Sequence, residues 1–311
     1  MASASSLSVP TDKNFDDRSS SFFQRYDQLP SPEEVRSQAR SQYLAGTHWG
    51  DPRRSVDNRY NDRPSPAVFG HMGLFVKWGS KMRIAEGQSL YAIRQHLTDA
   101  VPVPEIYGWR TDGDQVFLYM EAVCGRTLEQ AWPEMEEDDR LRICHELRTI
   151  FDAIRRLKQE PPETFIGSIA RGPLYDRAIH DKYMAEAGPF PSVKAFHDWF
   201  TALYKRPMPD PETVPPEPFR NDLPDDCDIV FTQGDLHPSN VLVSLPSPPR
   251  VLAIVDWEQA GWLPAYWEDR KAHLTCDYFG EWSEKYLPLI LDQYKSTWEP
   301  WDYYSTSMRP C

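Results

Sequence analysis

The chain has 311 residues, of which 40% are hydrophobic and 13% aromatic, a composition typical of a globular protein rather than a disordered one. Its formal net charge of -13 argues against nucleic acid as the main partner, because an acidic surface repels the phosphate backbone. No apolar run is long enough for a membrane-spanning helix, and residues 1–20 lack the apolar core of a secretory signal. The charge is compatible with a cationic substrate, although a solvated acidic surface is the commoner cause.

The cysteines are widely separated and form no CxxC pair: Cys124, Cys144, Cys227, Cys276 and Cys311. An odd number without paired spacing is not typical of a disulfide framework, and it argues against a zinc site. We therefore predict a reduced, cytoplasmic protein.

The first predicted elements are a loose tail and a capped helix. Residues 1–30 are rich in Ser and Asp and show no hydrophobic period, which predicts a loose N-terminal tail. Residues 31–46 predict a helix, because Ser31 at the N-cap position and Glu34 three residues later form a capping box. Gly46 ends this helix.

A small sheet with one embedded helix is predicted next. Residues 67–79 predict two strands around a glycine-bounded turn, and residues 115–121 predict a further strand. Between them, residues 86–97 predict a helix whose apolar positions recur at spacings of three and four. Helical patterns dominate after about residue 125, apart from a proline- and acid-rich surface excursion at 205–228.

This order of elements predicts two lobes around a cleft. Residues 31–121 are assigned to an N-lobe, residues 122–126 to a hinge and residues 127–311 to a C-lobe. The predicted fold class is α+β, with a small N-terminal β-sheet lobe that carries one helix and a larger, mostly helical C-terminal lobe.

The segment 228–262 contains polar residues at the ends of apolar strands. Two of these strands are joined by a turn centred near Pro248, so a symmetric hairpin would place Asn240 opposite Asp256 at its open end. An amide oxygen and a carboxylate brought together in this way suit Mg²⁺. Asp235 lies five residues before Asn240 in the same loop, where its carboxylate could accept a proton from a hydroxyl group.

The spacing Asp-x-x-x-x-Asn, followed by an Asp at a strand end, is the catalytic arrangement of protein-kinase-like phosphotransferases. Upstream, Lys77 interrupts an apolar strand, and Glu86 on the apolar side of the next helix could pair with it. Each residue also has a simpler explanation: Lys77 could protect an edge strand, Glu86 could face a helix dipole, and Asp256 could cap a turn. Because these residues occur together and in this order, the phosphotransferase interpretation is favoured over the separate explanations.

Several stretches resemble a known family. FTQGDLHPSNVLV and AIVDWEQAGWLPAYWE resemble the catalytic and metal-binding motifs of the aminoglycoside phosphotransferase/choline kinase family, which has a protein-kinase-like two-lobed fold. GPLYDR and GPFPSVKAFHDWF are similar to segments of its fungal members, and the resemblance covers about residues 67–275. It implies an enzyme that uses ATP and Mg²⁺, with Asp235 as the catalytic base and with Asn240 and Asp256 as metal ligands.

The resemblance also implies a nucleotide site. Lys77, held by Glu86, would contact the phosphates of ATP. The backbone at Glu121 and Val123 would meet the adenine ring, and Met120 would line its pocket.

Two departures from the family pattern concern the nucleotide and the catalytic loop. Only the short sequence FGHMG stands where a glycine-rich phosphate loop could lie. Gln233 occupies a position where the family usually has His, a residue that supports the loop by bonding to backbone near the metal-binding Asp. Since Gln carries both a donor and an acceptor, it could form a similar bond.

The resulting hypothesis is a kinase that phosphorylates a hydroxyl of a small molecule, with an aminoglycoside-, choline- or metabolite-like acceptor that is amine-bearing or sugar-like. Two alternatives remain open at this point: a nucleotide-binding pseudokinase, and a family member repurposed for a non-kinase biosynthetic step. A protein kinase is disfavoured, because no activation segment ending in Ala-Pro-Glu follows Asp256.

Overall fold

The structure is a computed structural model, and it describes residues 7–47, 64–159, 164–179, 181–208, 210–213, 217–245 and 248–308. A sheet lobe comes first and a mainly helical lobe follows, which confirms the predicted α+β, two-lobed fold. Cys124, Cys144, Cys227 and Cys276 are free thiols, whereas Cys311 lies outside the described residues. Within the described ranges, no helix is both long and apolar enough to cross a membrane.

The N-lobe is built on a five-stranded antiparallel sheet with the strand order β1-β4-β5-β3-β2. Its strands are β1 (Phe15–Asp16), β2 (Ala67–Phe69), β3 (Leu74–Gly79), β4 (Ile106–Asp112) and β5 (Gln115–Glu121). Two helices accompany the sheet, α1 (Pro32–Leu44) and α2 (Ile84–Leu97). The bounds of β5 agree with the prediction, and α2 begins two residues earlier than predicted.

Local sequence explains how both helices of the N-lobe are placed. The backbone N–H of Glu34 donates to the Ser31 hydroxyl, and the Glu34 carboxylate accepts from the Ser31 N–H, which confirms the predicted capping box of α1. Helix α2 lies close to the sheet because residue 87 is glycine: a Cβ there would lie 3.0 Å from the ring of Trp109. This close approach brings the first turn of α2 over β3.

The predicted loose tail is wrong for the part of it that the structure describes. Phe15 and Asp16 pair with β4, and Phe22 is fully buried in a hydrophobic cluster with Leu29 and Tyr107. These aromatic residues are scattered among Ser and Asp and follow no helical or strand period. Their burial therefore depends on tertiary packing against the sheet, which periodicity does not detect.

The C-lobe combines short strands with helices. Its helices are α3 (Leu128–Ala131), α4 (Glu137–Arg155), α5 (Val193–Ala202), α6 (Trp267–Leu274), α7 (Leu287–Ile290) and α8 (Trp298–Ser307), with a π-helical turn at Trp282–Tyr286. Its strands are β6 (Arg126–Thr127), β7 (Ile229–Thr232), β8 (Val241–Val243), β9 (Val251–Ile254) and β10 (Gly261–Pro264). They form two small sheets, β10-β7 and β6-β8-β9. The chain passes from β5 to the C-lobe through residues 122–125, and Arg126 already pairs with Val243.

Candidate active site

A cavity of about 380 Å³ lies between the two lobes, within the range of small-molecule sites. All but one of the residues that the sequence assigned to the site line this cavity: Lys77, Glu86, Met120, Glu121, Val123, Asn240 and Asp256. The exception, Asp235, lies behind it and is 3% exposed. The structure thus brings together residues from β3, α2, the connector and the hairpin, although they are far apart in sequence.

Lys77 links the two lobes. Its Nζ lies 2.6 Å from Oε1 of Glu86 and 3.0 Å from Oδ1 of Asp256. Burial alone would lower the pKa of Lys77, but the charges of Asp256 and Glu86 reverse this effect and raise the pKa above its ordinary value. The edge-strand explanation for Lys77 therefore does not hold, since its ammonium group is bound by two carboxylates in the cleft.

Glu86 is a buried acid with one strong partner. Its side chain is 1% exposed, and among the described residues its Oε2 atom has no hydrogen-bond partner. Burial raises the pKa of Glu86 to about 7, even though the charge of Lys77 lowers it. Glu86 lies in the first turn of α2, so it faces the helix dipole and also pairs with the lysine.

Asp256 follows β9 in an unusual backbone conformation. Its φ angle is 60°, in the left-handed region that non-glycine residues seldom occupy. The Nε2 group of Gln233 donates hydrogen bonds to the carbonyl oxygens of Asp256, at 3.0 Å, and Val255, at 3.2 Å. These bonds hold the backbone turn that directs the Asp256 carboxylate toward Lys77.

Gln233 supports the loop that carries Asp235 as well as the turn. Its side chain is fully buried, and its Oε1 atom accepts a hydrogen bond of 2.8 Å from the backbone N–H of Asp235. One amide group therefore joins Asp235 to the backbone of Asp256. This is the supporting bond that the sequence suggested Gln could form in place of His.

Asn240 and Asp235 are in direct contact. The Nδ2 group of Asn240 donates to the backbone oxygen of Asp235 at 2.9 Å and to its Oδ2 atom at 3.0 Å. Because the amide nitrogen is bonded to Asp235, the amide oxygen Oδ1 is oriented away from it. Burial raises the pKa of Asp235, against the opposing charges of Lys271 and Arg177.

The hairpin register differs by one residue from the symmetric one that was predicted. Val241 pairs with Ile254, and the backbone oxygen of Asn240 accepts from the N–H of Val255 at 2.9 Å rather than facing Asp256. Next to the turn, Val243 pairs with Val251, two residues away from the symmetric register, and an irregularity between Leu242 and Val243 reduces this difference to one. Asp256 therefore lies one position beyond the pair, where its positive φ turns the side chain into the cleft.

Glu268 is a supporting residue that the sequence did not reveal. Its carboxylate accepts hydrogen bonds from the backbone N–H groups of Gln233, at 2.7 Å, and Gly234, at 3.0 Å. Burial raises the pKa of Glu268 to about 7, although both N–H groups lower it. It belongs to a run of charged residues, 268–271, that are all buried in α6. Charged residues in a helix are normally expected on the surface. The signal for burial in the sequence was the Tyr-Trp pair that directly precedes this run.

Arg177 is the second unexpected residue of the site. Its Nη2 atom lies 2.5 Å from Oε1 of Glu258, and its Nη1 atom lies 3.8 Å from Oδ2 of Asp235. Burial lowers the pKa of Arg177, but the charges of Glu258, Asp235 and Asp256 outweigh burial and raise it. Its backbone N–H donates to Oε1 of Gln259 at 2.8 Å.

A buried ion pair fixes the segment that carries Arg177. Lys271 donates to Asp176 and to the Oε1 atom of Gln259, each at 2.7 Å, and both members of the ion pair are fully buried. The second carboxylate oxygen of Asp176 accepts from the indole N–H of Trp267 at 2.7 Å. Since both ions are fully hydrogen-bonded, this pair defines the position of residues 176–178 despite the cost of burying charge.

The connector residues border the opposite end of the cavity. Met120 is buried, and the N–H of Glu121 donates to the carbonyl oxygen of Glu105 at 2.8 Å. The N–H of Glu121 is therefore already bonded within the lobe, which leaves its carbonyl side for contact with a ligand. Val123 follows at the wall of the cavity.

The donor atoms at the hairpin are compatible with a hard divalent cation. The carboxylate of Asp256 and the oriented amide oxygen of Asn240 are the oxygen donors that Mg²⁺ prefers, and Mg²⁺ usually takes its other ligands from water and phosphate. Across the described ranges, no group of three or more His, Cys, Asp or Glu residues is arranged to hold a metal. The residues present therefore fit a metal shared with a phosphate ligand rather than an all-protein site.

Comparisons with known proteins give a family match. A family model described as "APH: Phosphotransferase enzyme family" matches residues 83–304, which is more than half of the chain. No curated protein is significantly similar to the chain.

Solved structures similar to the chain include three aminoglycoside phosphotransferases. One is a ternary complex of a thermostable mutant of APH(4)-Ia with AMP-PNP and hygromycin B, with 18% identity, a TM-score of 0.43, and a match over 66% of each chain. Another is the streptomycin-ATP-APH(2'')-IIa ternary complex, with 12% identity, a TM-score of 0.48, and coverage of 80% of this chain and 79% of the other. An aminoglycoside-3'-phosphotransferase of type VIII has 17% identity, a TM-score of 0.44, and coverage of 86% and 98%.

Proposed function

The chain belongs to the phosphotransferase enzyme family, and on that basis we propose that it transfers the γ-phosphoryl group of ATP, with Mg²⁺, to a hydroxyl group of a small molecule. The observation that carries this proposal is the position of Lys77, whose ammonium group contacts Glu86 from one lobe and Asp256 from the other. A lysine held in this way presents its charge to the phosphates of a bound nucleotide.

The nucleotide would occupy the cavity between the lobes. Its adenine ring would lie beside Met120 and contact the backbone at Glu121 and Val123, and its phosphates would extend toward Lys77. The wall at this end is largely apolar and includes the partly buried Phe75 and the buried Met120, as expected for a site that takes a flat aromatic base.

Asn240 and Asp256 would hold the Mg²⁺ ion. When bound, the metal would neutralise negative charge on the phosphates. The chain itself orients these ligands, because Asn240 is fixed by Asp235 and the Asp256 turn is fixed by Gln233.

Asp235 would serve as the base. The acceptor oxygen would attack the γ-phosphorus, the bond between that phosphorus and the bridging oxygen of ADP would break, and the hydroxyl proton would pass to the Asp235 carboxylate. Catalysis of this kind depends mainly on positioning. The hydrogen bonds that Gln233 and Asn240 form with Asp235 would therefore keep the base in place for the reaction.

For the acceptor, we propose a sugar-like molecule with several hydroxyl groups in preference to an amine-bearing one. An ammonium group would need an acid near Asp235, and Glu258 is the acid that lies there. Since Arg177 is already bonded to Glu258 at 2.5 Å, an amine would have to displace it.

The direct test is ATP turnover with a panel of hydroxyl compounds, for the wild type and for Asp235→Asn. We expect acceptor-dependent formation of ADP in the wild type and a loss of about 100-fold or more in the variant, which is the usual contribution of a general base. A compound phosphorylated at undiminished rate by the variant would show that Asp235 is not the base. Binding of ATP with Mg²⁺ but no turnover on any acceptor would favour a nucleotide-binding protein without transferase activity.

A further inference from the structure

A second cavity, of about 520 Å³, is lined in part by Glu258, two residues beyond Asp256. Arg83 and Gln88 line it from the N-lobe, and Ser168 and Tyr175 line it from the C-lobe. Glu258 forms part of its wall and is bonded to Arg177, whose Nη1 atom lies 3.8 Å from Asp235. A molecule in this cavity would therefore lie between both lobes and beside the Glu258–Arg177 pair, which adjoins the proposed base.

Positive charge dominates the open side of this cavity. The guanidinium of Arg83 lies over the ring of Tyr175, 4.4 Å from its centroid, and Arg83 is exposed to solvent. No acid among the described residues forms an ion pair with it. The contact with Tyr175 holds the guanidinium at the cavity wall, where its N–H groups are available to an anion.

The acid of the cavity is neutralised from within the protein. Glu258 is 3% exposed and receives Arg177 at 2.5 Å, and the Arg177 backbone is fixed by Gln259, which in turn is fixed by the buried Lys271. Arg177 is itself 46% exposed, so part of its guanidinium faces solvent beside the cavity. The described lining thus carries one arginine, Arg83, and one acid, Glu258, whose charge is balanced by Arg177 next to it.

We propose that this cavity receives the acceptor and selects a hydroxyl compound that carries an anionic oxygen group, either a carboxylate or a phosphate. Arg83, which lies on Tyr175, binds the anion. Arg177 adds positive charge nearby, and its ion pair with Glu258 prevents that carboxylate from attracting an amine. The planar fork of an arginine matches the oxygens of a carboxylate or phosphate in pairs, which a neutral or cationic group does not offer. This inference rests on the proposed phosphotransferase function and names its substrate class.

The test uses matched sugars that differ in one group: glucuronate, glucose 6-phosphate, glucose and glucosamine. Glycerate, glycerol 3-phosphate, glycerol and serinol form a second, smaller set. Binding is measured by calorimetry on the full chain saturated with AMP-PNP and Mg²⁺, so that it does not depend on turnover, and phosphorylation is measured separately with ATP. The variants are Arg83→Gln and Arg177→Gln. Arg94→Gln is the control, since Arg94 lies on α2, directly after Arg83 in the fold, and pairs with Glu105 rather than lining the cavity.

We expect an anionic member of at least one set to bind about 10- to 100-fold more tightly than its neutral and amine counterparts, as for a charge-assisted bond. Arg83→Gln abolishes this preference, and Arg94→Gln retains it. The carboxylate and phosphate members then show which anion the cavity takes.

Three results would overturn the inference: no anionic compound binds better than its counterparts, the amine is preferred, or the preference survives in Arg83→Gln. If neutral sugars are phosphorylated as well as anionic ones in every variant, the transferase function stands and the inference fails. If the anionic compounds bind through Arg83 but none is phosphorylated, the selectivity of the cavity stands and the transferase function fails.

Discussion

Gln233 offers the sharpest test of how the catalytic loop is held. Its fully buried amide forms three hydrogen bonds, two as donor to the backbone of Val255 and Asp256 and one as acceptor from the N–H of Asp235. We consider two substitutions, Gln233→Leu and Gln233→His. Leu has a similar volume but no polar group, whereas His can donate through one ring nitrogen and accept through the other.

The expected magnitudes follow from these bonds. Gln233→Leu leaves the N–H of Asp235 and the carbonyl of Asp256 without partners in a buried place, so it should lower the free energy of unfolding by about 2–4 kcal/mol. Gln233→His can keep two of the three bonds and should lower it by about 1 kcal/mol. Because the Leu variant also releases the turn that holds Asp256, its ATP turnover should fall by about 100-fold, as for a misplaced catalytic group. The His variant should stay within about fivefold of the wild type.

The assays are urea denaturation for stability and ADP formation for activity. Gln159→Leu is the matched control, because Gln159 also forms two side-chain bonds to backbone, both to Phe165, but lies outside the catalytic loop. Because Gln159 is only partly buried, its variant should lose less stability than Gln233→Leu and should retain its turnover. If Gln233→Leu were as stable and active as the wild type, the three hydrogen bonds of Gln233 would not hold the loop. If Gln233→His raised a negligible turnover by orders of magnitude, Gln233 would be the cause of inactivity.

Three further predictions concern the buried charges. Lys77→Met should lower the free energy of unfolding by about 3 kcal/mol at about pH 8, because it leaves Glu86 without its counter-ion. The loss should be smaller at about pH 6, where Glu86 becomes protonated. In urea denaturation, the double variant Lys77→Met with Glu86→Gln should recover most of the stability lost at about pH 8. Asp235→Asn should leave stability unchanged or slightly higher, because burial disfavours the Asp235 charge, and a marked loss of stability by calorimetry would contradict this. Burial raises the pKa of Glu268 from 4.5 to about 7, so between these pH values the folded state keeps a proton that the unfolded state releases. The contribution of Glu268 to stability is therefore full below about pH 4.5 and is lost as the pH rises through about 7. In Glu268→Gln the pH dependence of the denaturation midpoint should flatten in that window, and an unchanged slope would show that Glu268 is not its source.

The parts of the site that the sequence predicted depend on local patterns. The spacing from Asp235 to Asn240 lies within one loop, and the capping box of Ser31 and Glu34 lies within one helical turn. Lys77 and Glu86 belong to adjacent elements, and a charged residue in an apolar strand requires a partner wherever the strand is placed. Such features can be deduced from sequence because few local backbone arrangements are compatible with these spacings and pairings.

The parts that the sequence did not predict depend on distant contacts or on small irregularities. Arg177 meets Asp235 and Glu258 only after the C-lobe has folded, and nothing near it in sequence requires that contact. Glu268 belongs to a charged helix that resembles a surface helix, and its burial follows from the packing of the whole lobe. The hairpin differs by one residue because its strands do not pair symmetrically about the turn and an irregularity between Leu242 and Val243 then changes the register again.

Phosphorus NMR of the wild-type protein with ATP, Mg²⁺ and the hydroxyl compounds described above tests the proposed reaction at its product. The account predicts a new phosphomonoester resonance that grows in step with ADP and that is absent in Asp235→Asn. If ATP binds but yields no phosphomonoester with any of these compounds, or yields only inorganic phosphate, then the cleft of Lys77, Asp235, Asn240 and Asp256 does not transfer a phosphoryl group to them, and the account is contradicted.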